Sequence, residues 1–313
     1  SKLGIFMQDE ISSCGVGFIV SLNKVSSHET LTRGLNALKK LEHRGGRGKD
    51  ELDGDGAGIM CDIPFDFFKA PKHSYAIACI FGPKDKKRLQ SCLDIFELTF
   101  SQYGLIVSDY RNVPINIKAI GKHAQQTIPN IIWAIIERPK HCRTIASFEK
   151  LLYLAKQLTR VKLKESDIRR EFFFSSLSPR TVVYKAITSS ESLGKFYLDL
   201  QNKNFKTTFT LFHRRFCTNT LSAWDRVQPF RLIAHNGEIN TIEGNRLGTI
   251  SREKAIGLRK DELITHYGSS DSGNLNGVVE GLKYRSSIPH LSEILAIMMP
   301  PARFGQNNSN YFQ

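Results

Sequence analysis

Several signatures are missing from this chain of 313 residues. Its six cysteines, at 14, 61, 79, 92, 142 and 217, form no CxxC pair, and no histidine stands beside them at zinc spacing. A structural metal site is therefore not expected, and irregular spacing in so long a chain fits free thiols in a reducing compartment. No apolar run approaches the ~18 residues that span a bilayer. The longest, "NIIWAII" at 130–136 and "EILAIMMPPA" at 293–302, fall short, so no membrane partner is expected. The first residues carry Asp9 and Glu10 and lack a basic stretch leading into an apolar one, so no secretory signal is visible. The net charge of +14 would suit nucleic acid, but the basic residues are spread along the chain. The densest clusters, "KDKKR" at 84–88 and "RVKLKESDIRR" at 160–170, are mixed with acids and lack aromatic positions between them. They read as solvated faces, and no nucleic-acid partner is expected.

Three loop motifs also fail. Counted from Asp53, the "DGDGAG" stretch puts Ala57 and Pro64 where an EF-hand needs oxygen ligands. A dinucleotide fingerprint from Gly54 would need glycine at Ile59. The Gly-Lys pairs at 48–49, 121–122 and 194–195 lack the earlier P-loop glycine. "DGDGAG" is left as a tight loop with positive φ angles, or as one that lets backbone approach a ligand.

What is present is an ordinary core composition, 41% hydrophobic and 24% charged. Residues 14–22 alternate as a buried strand does. Ser26 and Glu29 suggest a capping box, followed by Leu31, Leu35, Leu38 and Leu41 on one helical face and a stop at Gly45 and Gly46. "IMCDI" at 59–63 reads as a strand, and helices are expected at 85–103 and near 147–160. From 171 onward the pattern turns to strands. "EFFFSSL" and "RTVVYKAI" around "SPR" suggest a hairpin, and "FTLFHRRFCTN" and "FRLIAHNGEI" follow as apolar runs with polar ends. The order implies a mixed α/β or α+β domain of sheets covered by helices.

Four segments carry chemistry. Cys14 in "SSCGVGFIV" offers a thiol. In "AHNGEIN" the Asn236 amide and the Gly237 N–H are two donors suited to an oxyanion, or the two residues form a type I′ turn. Arg215, with Thr218 beside it in "HRRFCTN", could grip a carboxylate in bidentate fashion or sit in a surface ion pair. Asp271 in "SSDSGN" could hold an ammonium group or start a helix. Together they describe a site for an α-amino acid whose acyl group is attacked, with glutamine as the obvious candidate.

"CGVGFIV", "LEHRGGRGKDELDGDGAGIM", "FEKLLYLAKQL", "SLSPRTVVYKA", "LGKFYLDLQNKNF", "HRRFCTNTLSAWDRVQPFRLIAHNGEINTIEGN" and "SSDSGNL" resemble, in order, the amino-terminal glutaminase domain of glutamate synthase. That domain is a class II glutamine amidotransferase of the N-terminal nucleophile hydrolase type. The resemblance implies an α+β fold, a four-layer α-β-β-α sandwich, here lacking its C-terminal strands. It implies a leader at 1–13 and a glutaminase domain at 14–313. Cys14 matches the nucleophile, which in the family is the first residue of the mature chain and whose α-amine serves as base. Asn236 and Gly237 match the oxyanion pair, Arg215 the carboxylate-binding arginine with Thr218 beside it, and Asp271 the ammonium-binding residue. Arg44 and Gly45 match a segment lining the glutamine pocket. Asp55 and Gly56 would lie close by, and Trp224 and Gln228 belong to a loop expected to cover the pocket. Cys217 stands where the family commonly has serine.

For the full-length enzyme the resemblance implies FMN and a 3Fe-4S cluster, neither held by this chain. It also implies a synthase domain or subunit that receives ammonia, and an electron donor, ferredoxin or an NAD(P)H-linked subunit. A non-catalytic, unprocessed domain that binds glutamine or docks on a partner is the alternative. The expected location is the cytoplasm, or the plastid stroma.

Overall fold

The structure, a computed structural model, describes residues 14–46, 52–68, 71–166, 171–216, 222–237, 270–286, 288 and 290–298. The 1–13 leader, Cys217, Thr218 and the tail from 299 lie outside the described residues. In chain order the elements are β1 (Gly15–Val20), α1 (His28–Lys40), β2 (Ala57–Asp62), β3 (Tyr75–Gly82), α2 (Lys86–Ser101), β4 (Val107–Asn112), α3 (Lys122–Thr127), β5 (Asn130–Glu137), α4 (Ile145–Glu165), β6 (Phe173–Ser178), β7 (Thr181–Ala186), α5 (Ser190–Phe196), β8 (Phe209–Arg214), α6 (Asp271–Arg285) and α7 (Leu291–Met298).

Two antiparallel four-stranded sheets, ordered β1-β8-β2-β7 and β4-β5-β3-β6, form the centre. Side chains alternate across a strand, and β3 shows what this does. Ile77, Cys79 and Phe81 enter a core shared with Ile59, Tyr184 and Phe212 of the first sheet, while Ala76, Ala78 and Ile80 face the core made with α2 and α4. The small alanines leave room there for Phe96 and Phe100 of α2 and for Phe148 and Leu152 of α4. Helix α1 rests on β1 and β8, so close that a Cβ at Gly34 would lie 2.2 Å from the Thr210 hydroxyl. This mixed arrangement of two antiparallel sheets and flanking helices accords with the sandwich that the resemblance implies. Among the described residues no helix is long and apolar enough to cross a membrane.

Local chemistry moves some boundaries. Ser27, not Ser26, caps α1, accepting from the Thr30 N–H at 3.0 Å, and Glu29 instead pairs with Arg33 one turn on. The expected hairpin over 171–187 is not a hydrogen-bonded pair: β6 joins β3 and β7 joins β2. The chain crosses between sheets at Pro179–Arg180, where the Ser178 hydroxyl accepts from the N–H groups of Arg180 and Thr181. The "FRLIAHNGEI" strand does not form over its described part. Side chains take up its backbone groups instead: Leu232 N–H donates to Asn276 at 3.0 Å, and His235 is held by Gln228. Phe230 and Ile233 pack against Val279 and Ile294 in a separate small cluster. The sequence reading also passed over β3, β4 and β5, whose pairing supplies most of the second sheet.

Candidate active site

Strand register decides which residues share a face. Val16, His213, Gly58 and Lys185 form one row across β1, β8, β2 and β7, and Gly15, Arg214, Ala57 and Ala186 form the next. Successive rows point to opposite faces. Arg214 closes β8 on the Gly15–Ala57 row, and Arg215, the first residue beyond the strand, takes its own course although the two are neighbours in sequence.

Arg214 is fully buried. Its guanidinium forks onto Glu42, Nη2 to Oε1 at 2.9 Å and Nε to Oε2 at 3.1 Å, and also donates to the carbonyls of Gly46 at 2.8 Å and Gly56 at 3.1 Å. Burial pushes the Glu42 carboxyl up, but hydrogen bonds from Ser190 and the Arg214 charge outweigh it and hold the carboxyl below its ordinary value. This pair ties the 42–46 turn and the 54–56 loop under the sheet. Gly45 is glycine for want of space, since a Cβ would lie 2.1 Å from the Arg214 Nε. Gly56, at φ +137°, adopts a backbone that favours glycine.

Cys14 stands just before β1. Its Sγ accepts from the Phe216 N–H at 3.2 Å and lies 3.5 Å from the Phe216 carbonyl oxygen. Arg44 donates Nε to the Cys14 carbonyl at 3.4 Å. Arg215, next to Phe216, is largely buried; its N–H donates to the Gly56 carbonyl at 2.8 Å and its Nη1 reaches the Asp55 carbonyl at 3.5 Å. Cys14, Arg44, Arg215 and the "DGDGAG" loop thus meet at one end of the first sheet.

Asn236 and Gly237 are brought to the same end through His235. The His235 carbonyl accepts from His213 Nε2 at 3.0 Å and from Gln228 Nε2 at 3.2 Å, while its N–H donates to Gln228 Oε1 at 3.0 Å. His213 is fully buried, and burial pulls its imidazole down to about 3, so it remains a neutral donor through Nε2. Neither Asn236 nor Gly237 has the positive φ of a type I′ turn. Asn236 Oδ1 is buried with no hydrogen-bond partner among the described residues. Gln228 Nε2 also approaches Ser272 Oγ at 3.4 Å, which links this loop to the start of α6. There Asp271 is the first helical residue, behind the Ser270 cap. Burial raises its carboxyl, partly offset by its own backbone N–H and by the nearby His235 ring.

Trp224 does not lie over the site. It is buried against Phe81 and Phe196 and anchors its segment in the inter-sheet core. The sequence reading missed Glu42, Arg214 and His213. For Arg214 a signal existed: it follows Phe212 by two residues on an apolar strand, so it shares that residue's face.

Among the described residues no three His, Cys, Asp or Glu side chains stand together to hold a metal. Cys61 and Cys79 are buried in one core and Cys92 and Cys142 in the other, so the described residues do not furnish an iron–sulfur site.

A family model described as glutamine amidotransferases class-II matches residues 14–311. The chain is 38% identical over 310 residues to the ferredoxin-dependent glutamate synthase 1, chloroplastic/mitochondrial, of Arabidopsis thaliana, covering 94% of this chain and 19% of that protein. It is 35% identical over 290 residues to the glutamate synthase [NADPH] large chain of Azospirillum brasilense, covering 87% of this chain and 19% of that one. With the ferredoxin-dependent glutamate synthase 2 of Synechocystis it shares 34% over 315 residues, 95% of this chain and 20% of the relative. The chain spans about a fifth of the length of these relatives. On these grounds it belongs to the class-II glutamine amidotransferases and matches the glutaminase portion of glutamate synthases.

Proposed function

We propose that the domain hydrolyses L-glutamine to L-glutamate and ammonia through a γ-glutamyl thioester on Cys14, once residues 1–13 have been removed. Cys14 Sγ attacks the side-chain amide carbon and passes its proton to the α-amine of the same residue. A free α-amine titrates near ~7.7–8.0 and suits that duty, whereas a peptide nitrogen cannot accept the proton. The Asn236 amide and the Gly237 N–H stabilise the developing oxyanion. The amine then returns the proton to the amide nitrogen, the C–N bond breaks and ammonia leaves. Water attacks the thioester, glutamate departs and the thiol is restored. Arg215, with Thr218, binds the substrate carboxylate, Asp271 its ammonium group, and Arg44 and Gly45 line the pocket.

The observation that carries this reading is the placement of the Cys14 sulfur against the Phe216 backbone, one residue from Arg215. The family match beginning at Cys14 supports the leader at 1–13. Mass spectrometry of the active protein tests it: a chain starting at Cys14 is expected. A chain that retains Ser1 and turns over glutamine at full rate would refute the role of the α-amine. Failure of a glutamine-like diazoketone to label Cys14 would favour a non-catalytic binding domain.

In the longer protein the ammonia would reach a synthase domain for reductive amination of 2-oxoglutarate. FMN and a 3Fe-4S cluster would supply the electron transfer there. Ferredoxin as donor is supported by the names of several relatives, and an NADPH-linked donor by that of the Azospirillum protein. The chloroplastic relatives support a plastid stromal location over a cytoplasmic one.

A further inference from the structure

Gln228 is a side chain that the nucleophile chemistry does not use, yet it is 6% exposed and bonded on both ends of its amide. Its Oε1 accepts from the His235 N–H and its Nε2 donates to the His235 carbonyl. A primary amide paired this way with one residue's N–H and C=O sets that residue's peptide planes, and the following peptide is the one that carries Asn236. Gln228 is itself seated by the sheet. A Cβ at Gly58 would lie 2.3 Å from the Gln228 carbonyl oxygen and 2.9 Å from Pro229, so the 228–229 segment lies flat on β2 where no side chain intervenes. On its other flank Lys185 donates to the Asp225 carbonyl at 3.4 Å and places its ammonium 4.7 Å from the centre of the Phe230 ring. His213 adds the second donor to the same His235 carbonyl.

We propose that Gln228 is a positioning residue that fixes the Asn236–Gly237 pair relative to Cys14 by clamping the backbone of His235. The inference rests on the glutaminase reading given above, and extends it to a residue that touches neither substrate nor thiol. Its energetic logic is preorganisation. An oxyanion donor acts only if it already points at the position the oxygen will occupy. A displacement of about 1 Å can cost on the order of 10²-fold in rate.

The test compares the chain beginning at Cys14 with Gln228→Met, which removes both bonds to His235 and the longer contact to Ser272 at similar size, and with Gln228→Glu, which keeps only the acceptor. The readouts are kcat and KM for L-glutamine and the rate at which iodoacetamide alkylates Cys14. For both variants kcat is expected to fall about 10- to 100-fold. KM should stay within about threefold and alkylation should be unchanged, because the clamp touches neither Arg215 nor the thiol and reaches the start of α6 only through the longer 3.4 Å contact of Gln228 with Ser272. A merely structural role would loosen the whole site and move KM and alkylation together with kcat. That outcome, or a kcat within about twofold of the parent in either folded variant, overturns the proposal. If the parent chain itself shows no glutamine turnover while Cys14 remains alkylatable, the glutaminase reading fails first and the role of Gln228 falls with it.

Discussion

Replacing Arg214 by methionine removes one charged group from the interior and leaves another behind. The guanidinium is fully buried and forks onto Glu42, which is 6% exposed. Two of its other acceptors keep partners without it, the Gly56 carbonyl from Arg215 N–H at 2.8 Å and the Gly46 carbonyl from Asp55 N–H at 3.3 Å, while the Thr188 and Arg215 carbonyls lose longer bonds of 3.5 and 3.3 Å. The largest cost is that the Glu42 carboxylate, which keeps its bond from the Ser190 N–H at 2.7 Å, loses the buried guanidinium that balanced its charge. Breaking one side of a buried pair typically costs about 3–5 kcal/mol, a large share of the ~5–15 kcal/mol that holds a domain together. Urea unfolding at pH 7, followed by the fluorescence of the buried Trp133 and Trp224, measures it for Arg214→Met, Glu42→Gln and the double variant. Neutralising Glu42 should recover on the order of 2 kcal/mol in the double variant, since the carboxylate charge that lost its guanidinium is then gone. Arg214→Lys should rescue only in part, because an ammonium cannot fork onto the carboxylate and still reach the carbonyls. Additive single effects, with coupling below about 0.5 kcal/mol, or a loss under about 1 kcal/mol for Arg214→Met, would refute the argument.

Other perturbations follow from the same geometry. His213 has a folded value of about 3 against an ordinary 6.5, so the unfolded chain takes up its proton first. Stability should fall as pH drops below 6.5, by up to about 1.4 kcal/mol per pH unit from this group, and the slope should flatten in His213→Gln, as read by denaturation at stepped pH. Lys185, buried between Phe173 and Phe230, is pulled down to about 7 by burial. Lys185→Met should be more stable than the parent at pH 7, and its advantage should shrink as pH rises toward 10.5, because the parent's deprotonated amine matches the unfolded state only there. Gly56→Ala puts a side chain at φ +137° with its Cβ 2.6 Å from Val227, so a loss of at least about 2 kcal/mol is expected in thermal or urea unfolding.

From the sequence alone come the main helices and the chemical inventory. Helices α1, α2 and α4 were legible because apolar residues recur at helical spacing behind polar starts. Cys14, Arg215, Asn236 and Asp271 stood out because thiol, guanidinium, amide and carboxylate suggest one substrate. Tertiary structure decided the rest. β3 and β5 are buried runs whose identity depends on pairing with partners far along the chain. The 171–187 segment reads as a hairpin, yet each half joins a different sheet, because an apolar strand reports its burial and not its neighbour. Likewise, residues 230–237 have a strand's composition but are held by the side chains of Gln228, His213 and Asn276. Only the fold separates Arg214, the last residue of β8 and sunk on Glu42, from Arg215, which leaves the strand and turns to the Asp55–Gly56 loop near Cys14.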